Sequence, residues 1–252
     1  MLYSIVTFVF GDYELLREPL EISPYCEYIA VTDNHNLSSK IWHIKYLPDC
    51  MNDADPITKT MYVRYHPFDF TSTNTCVVLD GSILLKKSLN YVISEFNKSN
   101  SDCALMLHWL HNNARKEYYE WVEQRNYPME QCIKCQAFMD AVGYTDTTKG
   151  AFEAGFKIQR NDAINNRLNT FVYRTLELIG GGSLHVERLD QGILSAIVHT
   201  KFSTLKVFPV SHQIIQSQYM QYFQHRTHNP ITVCVRPECS YLFNRKVDVF
   251  VP

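Results

Sequence analysis

Several things that would mark a class at once are missing from this sequence. No apolar run approaches the roughly 20 residues that cross a bilayer, so at most a peripheral membrane association is expected. No basic excess exists: 24 Lys and Arg face 26 Asp and Glu, for a formal net charge of -2. A nucleic-acid backbone is therefore not an expected partner. No internal repeat or low-complexity stretch is present. The start, MLYSIVTFVFGDYE, has no basic segment and meets an acid early, so no signal peptide is expected and a cytoplasmic location is. No glycine-rich basic loop follows the first apolar run, which continues FGDYELL (Phe10 to Leu16). That speaks against a nucleotidyltransferase.

What is present is enough apolar residue for a sizeable core, 46% of 252 positions. Eight cysteines are spread irregularly, several inside apolar runs such as TCVVL and DCALML, and read as free, buried thiols in a reducing compartment. Cys132 and Cys135 with Cys234 and Cys239 are the one arrangement that suggests structural zinc. The first pair, however, lies in a helical pattern, the second has a wide proline-containing spacing, and a long stretch of chain separates the two.

Runs rich in β-branched and aromatic residues predict strands at LYSIVTFVF, CEYIAVT, IWHIKYL, TCVVL and CALML. Helical spacing is read in KKSLNYVISEFNK, NARKEYYEWVEQR, PMEQCIKCQAFMDAV and AINNRLNTFVYRTLELI, the last closed by three glycines from Gly180, and again from about Leu189. A short strand and a tail are expected from Pro230. Alternating strands and helices predict an α/β sheet with helices on both faces. Ligands of such sheets bind beyond the carboxyl ends of the strands. Gly11-Asp12, Asp33-Asn34 and Asp80-Gly81 all fall at predicted strand ends. Each pair is also an ordinary turn signal; three on one edge favour a ligand, with Gly81 admitting its close approach.

Seven segments occur in an order that resembles a known family: YSIVTFVFGDYELLREP, YIAVTDN, IWHIKYLP, KTMYVRYHPF, VVLDGSI, EAGFKIQRND and RLDQGILSAIV, spanning about Tyr3 to Val210. They are similar to the glycosyltransferase-like family first described as a domain of unknown function, with plant members related to mucilage and pollen proteins. The resemblance implies a GT-A-type fold, a Rossmann-like mixed sheet flanked by helices. It implies one domain over residues 1–252, with a nucleotide-binding half to about 110, an acceptor half over about 111–228 and a tail over 229–252. It further implies a nucleotide-sugar donor, UDP- or GDP-linked, a glycan or lipid-linked acceptor, and a role in polysaccharide biosynthesis.

By the same resemblance Phe10, Gly11 and Tyr13 line the base pocket, and Asp33 lies near base or ribose. Lys59, Arg64 and His66 reach the diphosphate. Asp80 opens the metal motif, here Asp80-Gly81-Ser82, and holds a divalent cation, Mn²⁺ or Mg²⁺, with a late histidine, His225 ahead of His228 and His212. Serine is a weak ligand at the third place, where the family has Asn. Glycosyl transfer needs charge stabilisation on a leaving diphosphate and carboxylates near an oxocarbenium-like centre. Glu153, Asp190 and Gln191 are the catalytic candidates. The alternatives are a strand-edge acid for Glu153 and a helix-dipole partner for Asp190. A non-catalytic sugar-nucleotide or glycan-binding module, its metal site degenerate at Ser82, is the rival reading.

Overall fold

The computed structural model describes residues 2–11, 14–108, 110–116, 118, 129–148, 150–180, 189–223 and 230–231. Tyr13 and His225, both expected in the site, lie outside the described residues, as do Cys234 and Cys239.

The first apolar run forms β1 (Tyr3–Val9), buried along its whole length as a strand covered on both faces must be. Parallel to it lie β2 (Cys26–Thr32) on one side and β4 (Thr75–Asp80) on the other, with β3 (His43–Tyr46) beyond β2. The central sheet has seven strands. After β4 come β7 (Phe152–Arg160), β6 (Cys103–Leu107) and β8 (Val207–Val210). Only β7 runs against its neighbours, antiparallel to both β4 and β6. The result is a mixed, mostly parallel Rossmann-like sheet. β7, from the part of the chain after residue 110, sits between β4 and β6 from the part before it, so the sheet is continuous across residue 110.

Alternation along the strands builds two cores. Ile5, Val77, Leu79, Met106 and Phe156 face α2 (Asn90–Lys98), which supplies Val92, Ile93 and Phe96. On the opposite face Val6, Phe8 and Val78 meet Val63 of α1 (Pro56–Tyr65). Farther along that face Leu105 and Ala154 lie with Leu168, Val172 and Leu176 of α4 (Ala163–Gly180) and with α5 (Leu189–Thr200). The helix α3 (Met129–Ala141) joins this cluster through Cys132, Cys135 and Met139. A small sheet joins β5 (Ile83–Leu85), directly after β4, to β9 (Met220–Phe223) and β10 (Pro230–Ile231), which follow α6 (His212–Gln218).

The expected strands and most expected helices are present. The strand from Pro230 is the two-residue β10. The stretch NARKEYYEWVEQR is helical over Ala114–Lys116 and otherwise lies largely outside the described residues. Among the described residues the cysteines are free, but not uniformly buried: Cys76, Cys103, Cys132 and Cys135 are, Cys26 is half-buried and Cys50 is exposed. No described helix is long and apolar enough to cross a membrane.

Candidate functional site

Parallel strands bring their carboxyl ends to one edge, and the reversed strand β7 brings its beginning there. Gly11 follows β1, Asp33 follows β2, Asp80 ends β4, and Glu153 pairs with Met106 near the end of β6. His212 follows β8, whose Val210 pairs with the same Met106. This edge holds most of the residues the sequence singled out.

Asp33 is fixed from two sides. Its carboxylate accepts from the Gly11 amide at 3.2 Å and from Lys59 Nζ at 2.9 Å. Burial alone would raise this carboxyl; the lysine and the amide hold it below the usual range. Gly11 has φ +57, a left-handed conformation that glycine adopts without strain. Lys59 arrives from α1, whose start is set by Asp55: its carboxylate accepts from the amides of Ile57 and Thr58, with Pro56 at the first helical position.

One helical turn and a residue later, α1 presents Arg64. Its guanidinium bridges two aspartates, Asp80 at 2.5 Å and Asp190 of α5. Tyr65 Oη also reaches Asp190, at 3.4 Å. Arg64 and Asp190 are buried, 7% and 1% exposed, while the Asp80 side chain keeps 22% of its surface. Burial would pull the Arg64 pKa down, but the two carboxylates more than reverse this and lock its charge. Behind the cluster Lys157 of β7 is buried, donates to Asn169 Oδ1 at 3.1 Å and lies 4.4 Å over the Tyr65 ring. Burial, then the Arg64 charge, push its amine down to about 7.

Glu153 and His212 form the second group, Oε2 to Nε2 at 3.4 Å, both buried. The imidazole stacks on Tyr222 at 4.9 Å, and Tyr222 Oη donates to Met106 Sδ at 3.3 Å. Burial raises the Tyr222 hydroxyl well above its ordinary pKa, and the charges of Glu153 and Asp80 add to this. Both carboxylates are therefore within electrostatic reach of one ring.

Several expectations change here. Asp190 has no access to a substrate: it is a buried counter-ion of Arg64, at the start of α5 where the dipole also favours an acid. Arg64 is committed to the aspartates and is not a free diphosphate ligand. Phe10 is 2% exposed in the core beside Phe8 and Val31, so it offers no face to a base. His66 closes the far end of α1, stacks on Tyr62 at 4.6 Å, and lines a cleft with Asn161. Asn161 is tied to Asn74 just before β4, so this cleft lies at the amino edge of the sheet. Gln191 is half-buried, its carbonyl accepting from Ser195 Oγ. Gly81 leaves no room for a Cβ because the Phe8 carbonyl oxygen is 2.4 Å from it, not because a ligand approaches.

His212, ranked behind His225 in the sequence, faces Glu153; Tyr65, Tyr222 and Lys157 carried no sequence signal. The cap Asp55-Pro56 marks the start of α1, a helix not expected over these residues.

The residues do not fit the divalent cation that the resemblance implies. One Asp80 oxygen is taken by Arg64, and the other lies 2.8 Å from where a Cβ on Gly155 would stand. Ser82 is buried in the turn before β5, its carbonyl accepting from the Phe223 amide. Among the described residues no three His, Cys, Asp or Glu side chains are grouped to hold a metal. No protein-family model matches the chain, and no curated protein matches it in sequence.

Proposed function

We propose that the chain transfers a sugar from a UDP- or GDP-sugar to a glycan or lipid-linked acceptor, as a GT-A-type enzyme of polysaccharide biosynthesis in the cytoplasm. The observation that carries this reading is the meeting of Asp80 and Glu153 at one sheet edge, beside the single reversed strand. Gly155, two residues after Glu153, lies directly against the Asp80 carboxylate. Asp80 is the partly exposed acid of the pair and serves as acceptor for donor hydroxyls. Glu153, oriented by His212, is the carboxylate for proton transfer at the acceptor. Asp33, held by Gly11 and Lys59, lies two strands along from Asp80, at the end of β2, where a base or ribose would sit.

The rival is a sugar-nucleotide-binding module without turnover. Its supporting observation is that Arg64 already engages the acid that would open a metal motif. Two measurements separate the readings. A thermal-shift panel of nucleotide sugars reports binding, because a ligand of the native state raises apparent stability. Release of UDP or GDP from the donor that binds reports turnover. Binding with release supports the transferase, binding without release supports the module, and no binding by any nucleotide sugar removes both.

A further inference from the structure

We infer that the Arg64 guanidinium is the resident cation of the Asp80–Asp190 pair, so that the chain takes its nucleotide donor without a divalent ion at Asp80. The inference deepens the glycosyltransferase reading and rests on it for the donor; its claim about metal stands on the geometry alone.

Two carboxylates brought together in a buried place need positive charge between them. Hard divalent ions supply it in many sites through oxygen ligands. Here α1 supplies it covalently, one nitrogen of Arg64 to each aspartate. Arginine suits that task because its charge is permanent and its planar donors match carboxylate oxygens. Lys157 stands behind the same cluster and feels both Arg64 and Asp190.

The access routes agree. Asp190 Oδ1 is the cluster's buried carboxylate oxygen with no hydrogen-bond partner, and one enclosed oxygen is not a coordination sphere. Asp80 gives one oxygen to Arg64, and the other, beside Gly155, is the single oxygen it leaves open at the sheet edge. The third position of the motif, Ser82, is buried in the β4–β5 turn. Removing the guanidinium would reverse this. Asp80 Oδ1 would then lack a partner as Asp190 Oδ1 already does, Asp190 Oδ2 would keep only Tyr65 Oη at 3.4 Å, and these oxygens around a vacated charge make an oxygen-ligand set.

The test has a metal arm and a nucleotide arm. Mn²⁺ titration followed by electron paramagnetic resonance is expected to find no stoichiometric ion on the wild-type chain at millimolar concentration. One Mn²⁺ per chain, lost in Asp80→Asn, overturns the inference. Arg64→Ala is expected to gain one Mn²⁺ and to melt higher in its presence; a folded Arg64→Ala that binds none overturns it. Should that variant not fold, the nucleotide arm on the wild type decides. The Kd values of UDP and GDP are measured by calorimetry in EDTA and in Mn²⁺. Agreement within about twofold supports the inference, since a ligand whose binding is not linked to the ion shows no dependence on it. A gain of about tenfold or more in Mn²⁺ that Asp80→Asn abolishes overturns it. If neither nucleotide binds in either buffer, the glycosyltransferase reading falls, and the resident-cation claim is still judged by the wild-type Mn²⁺ titration.

Discussion

A Cβ placed on Gly81 would stand 2.4 Å from the main-chain oxygen of Phe8. Both atoms belong to backbone that has no freedom to separate. Phe8 pairs with Asp80 across β1 and β4, and β1 is buried throughout. The side chain of Glu14 closes the space further, its Cβ 3.2 Å away. Gly81→Ala should therefore cost stability, roughly 1–3 kcal/mol as overpacking usually does. Chemical denaturation of the variant measures it, and an unchanged midpoint would mean that the turn after β4 shifts freely.

Gly155 is the contrasting case. There the obstacle to a Cβ is not backbone but the Asp80 carboxylate, 2.8 Å away. A carboxylate can rotate where a buried carbonyl cannot. Gly155→Ala should keep a melting temperature close to wild type and displace Asp80 from its place at the sheet edge. The proposed activity should fall by about tenfold or more, as misplacement of a positioning group by an ångström commonly does. A variant with full donor turnover would show that the position of Asp80 is unimportant to function.

Much of this fold is readable in the sequence because its strands are short, apolar and bounded by turn residues. β1, β2, β4 and β6 announce themselves in this way, whereas the segment that becomes β7 stands out only as one of the motifs of the resemblance and not as a strand. What is not readable is where β7 goes. Its insertion between β4 and β6 is a long-range pairing with no local signature. Its alternation also misleads: Lys157 and Gln159 occupy positions that polarity would assign to solvent, yet both are buried against Asn169. α1 hides for a related reason. It turns Lys59 and Arg64 inward along with Met61, Val63 and Tyr65, so no clean apolar stripe marks it. The acids of the candidate site, and Lys59, Arg64 and His212 with them, were therefore legible one by one, whereas which of them pair was not.

Lys157 gives a pH dependence with a definite sign. Its amine is pushed down to about 7 from an ordinary 10.5, so between those values the unfolded chain binds the extra proton. Stability contributed at this position rises with pH from about 7 to about 10.5, and is level below 7 where both states are protonated. Lys157→Met removes that slope. The variant also leaves Asn169 Oδ1 with Gln159 alone, a loss of about 1 kcal/mol. Against this, the full cost of the buried charge is on the order of a few kcal/mol near neutral pH. Urea unfolding of both proteins at pH 6.5 and pH 9 should show wild type gaining on the variant at the higher pH. Parallel behaviour of the two would mean the amine stays charged throughout.

Asp80 and Asp190 hold the same guanidinium, but they should fail in different ways. Asp190 is 1% exposed and its partners, Arg64 and Tyr65, are buried with it. Asp190→Asn leaves Arg64 with one carboxylate fewer in a place that water does not reach. Breaking one partner of a buried ion pair costs roughly 3–5 kcal/mol. Asp80 stands at the mouth of the cluster with 22% of its side chain exposed. Water can replace part of what its charge gave Arg64, so Asp80→Asn should cost about 1 kcal/mol, near the upper end for exposed pairs. Function should rank the other way. Asp80 is the acid open to a donor, and its loss should lower turnover by orders of magnitude in a protein that still melts close to wild type. Asp190→Asn, assayed well below its lowered melting temperature, should keep most of the donor affinity that remains when Arg64 is in place. Denaturation midpoints and donor Kd values for the two variants, measured side by side, check both rankings. Equal stability losses would mean that burial does not separate the two aspartates, and a silent Asp80→Asn would remove this edge as the site of chemistry.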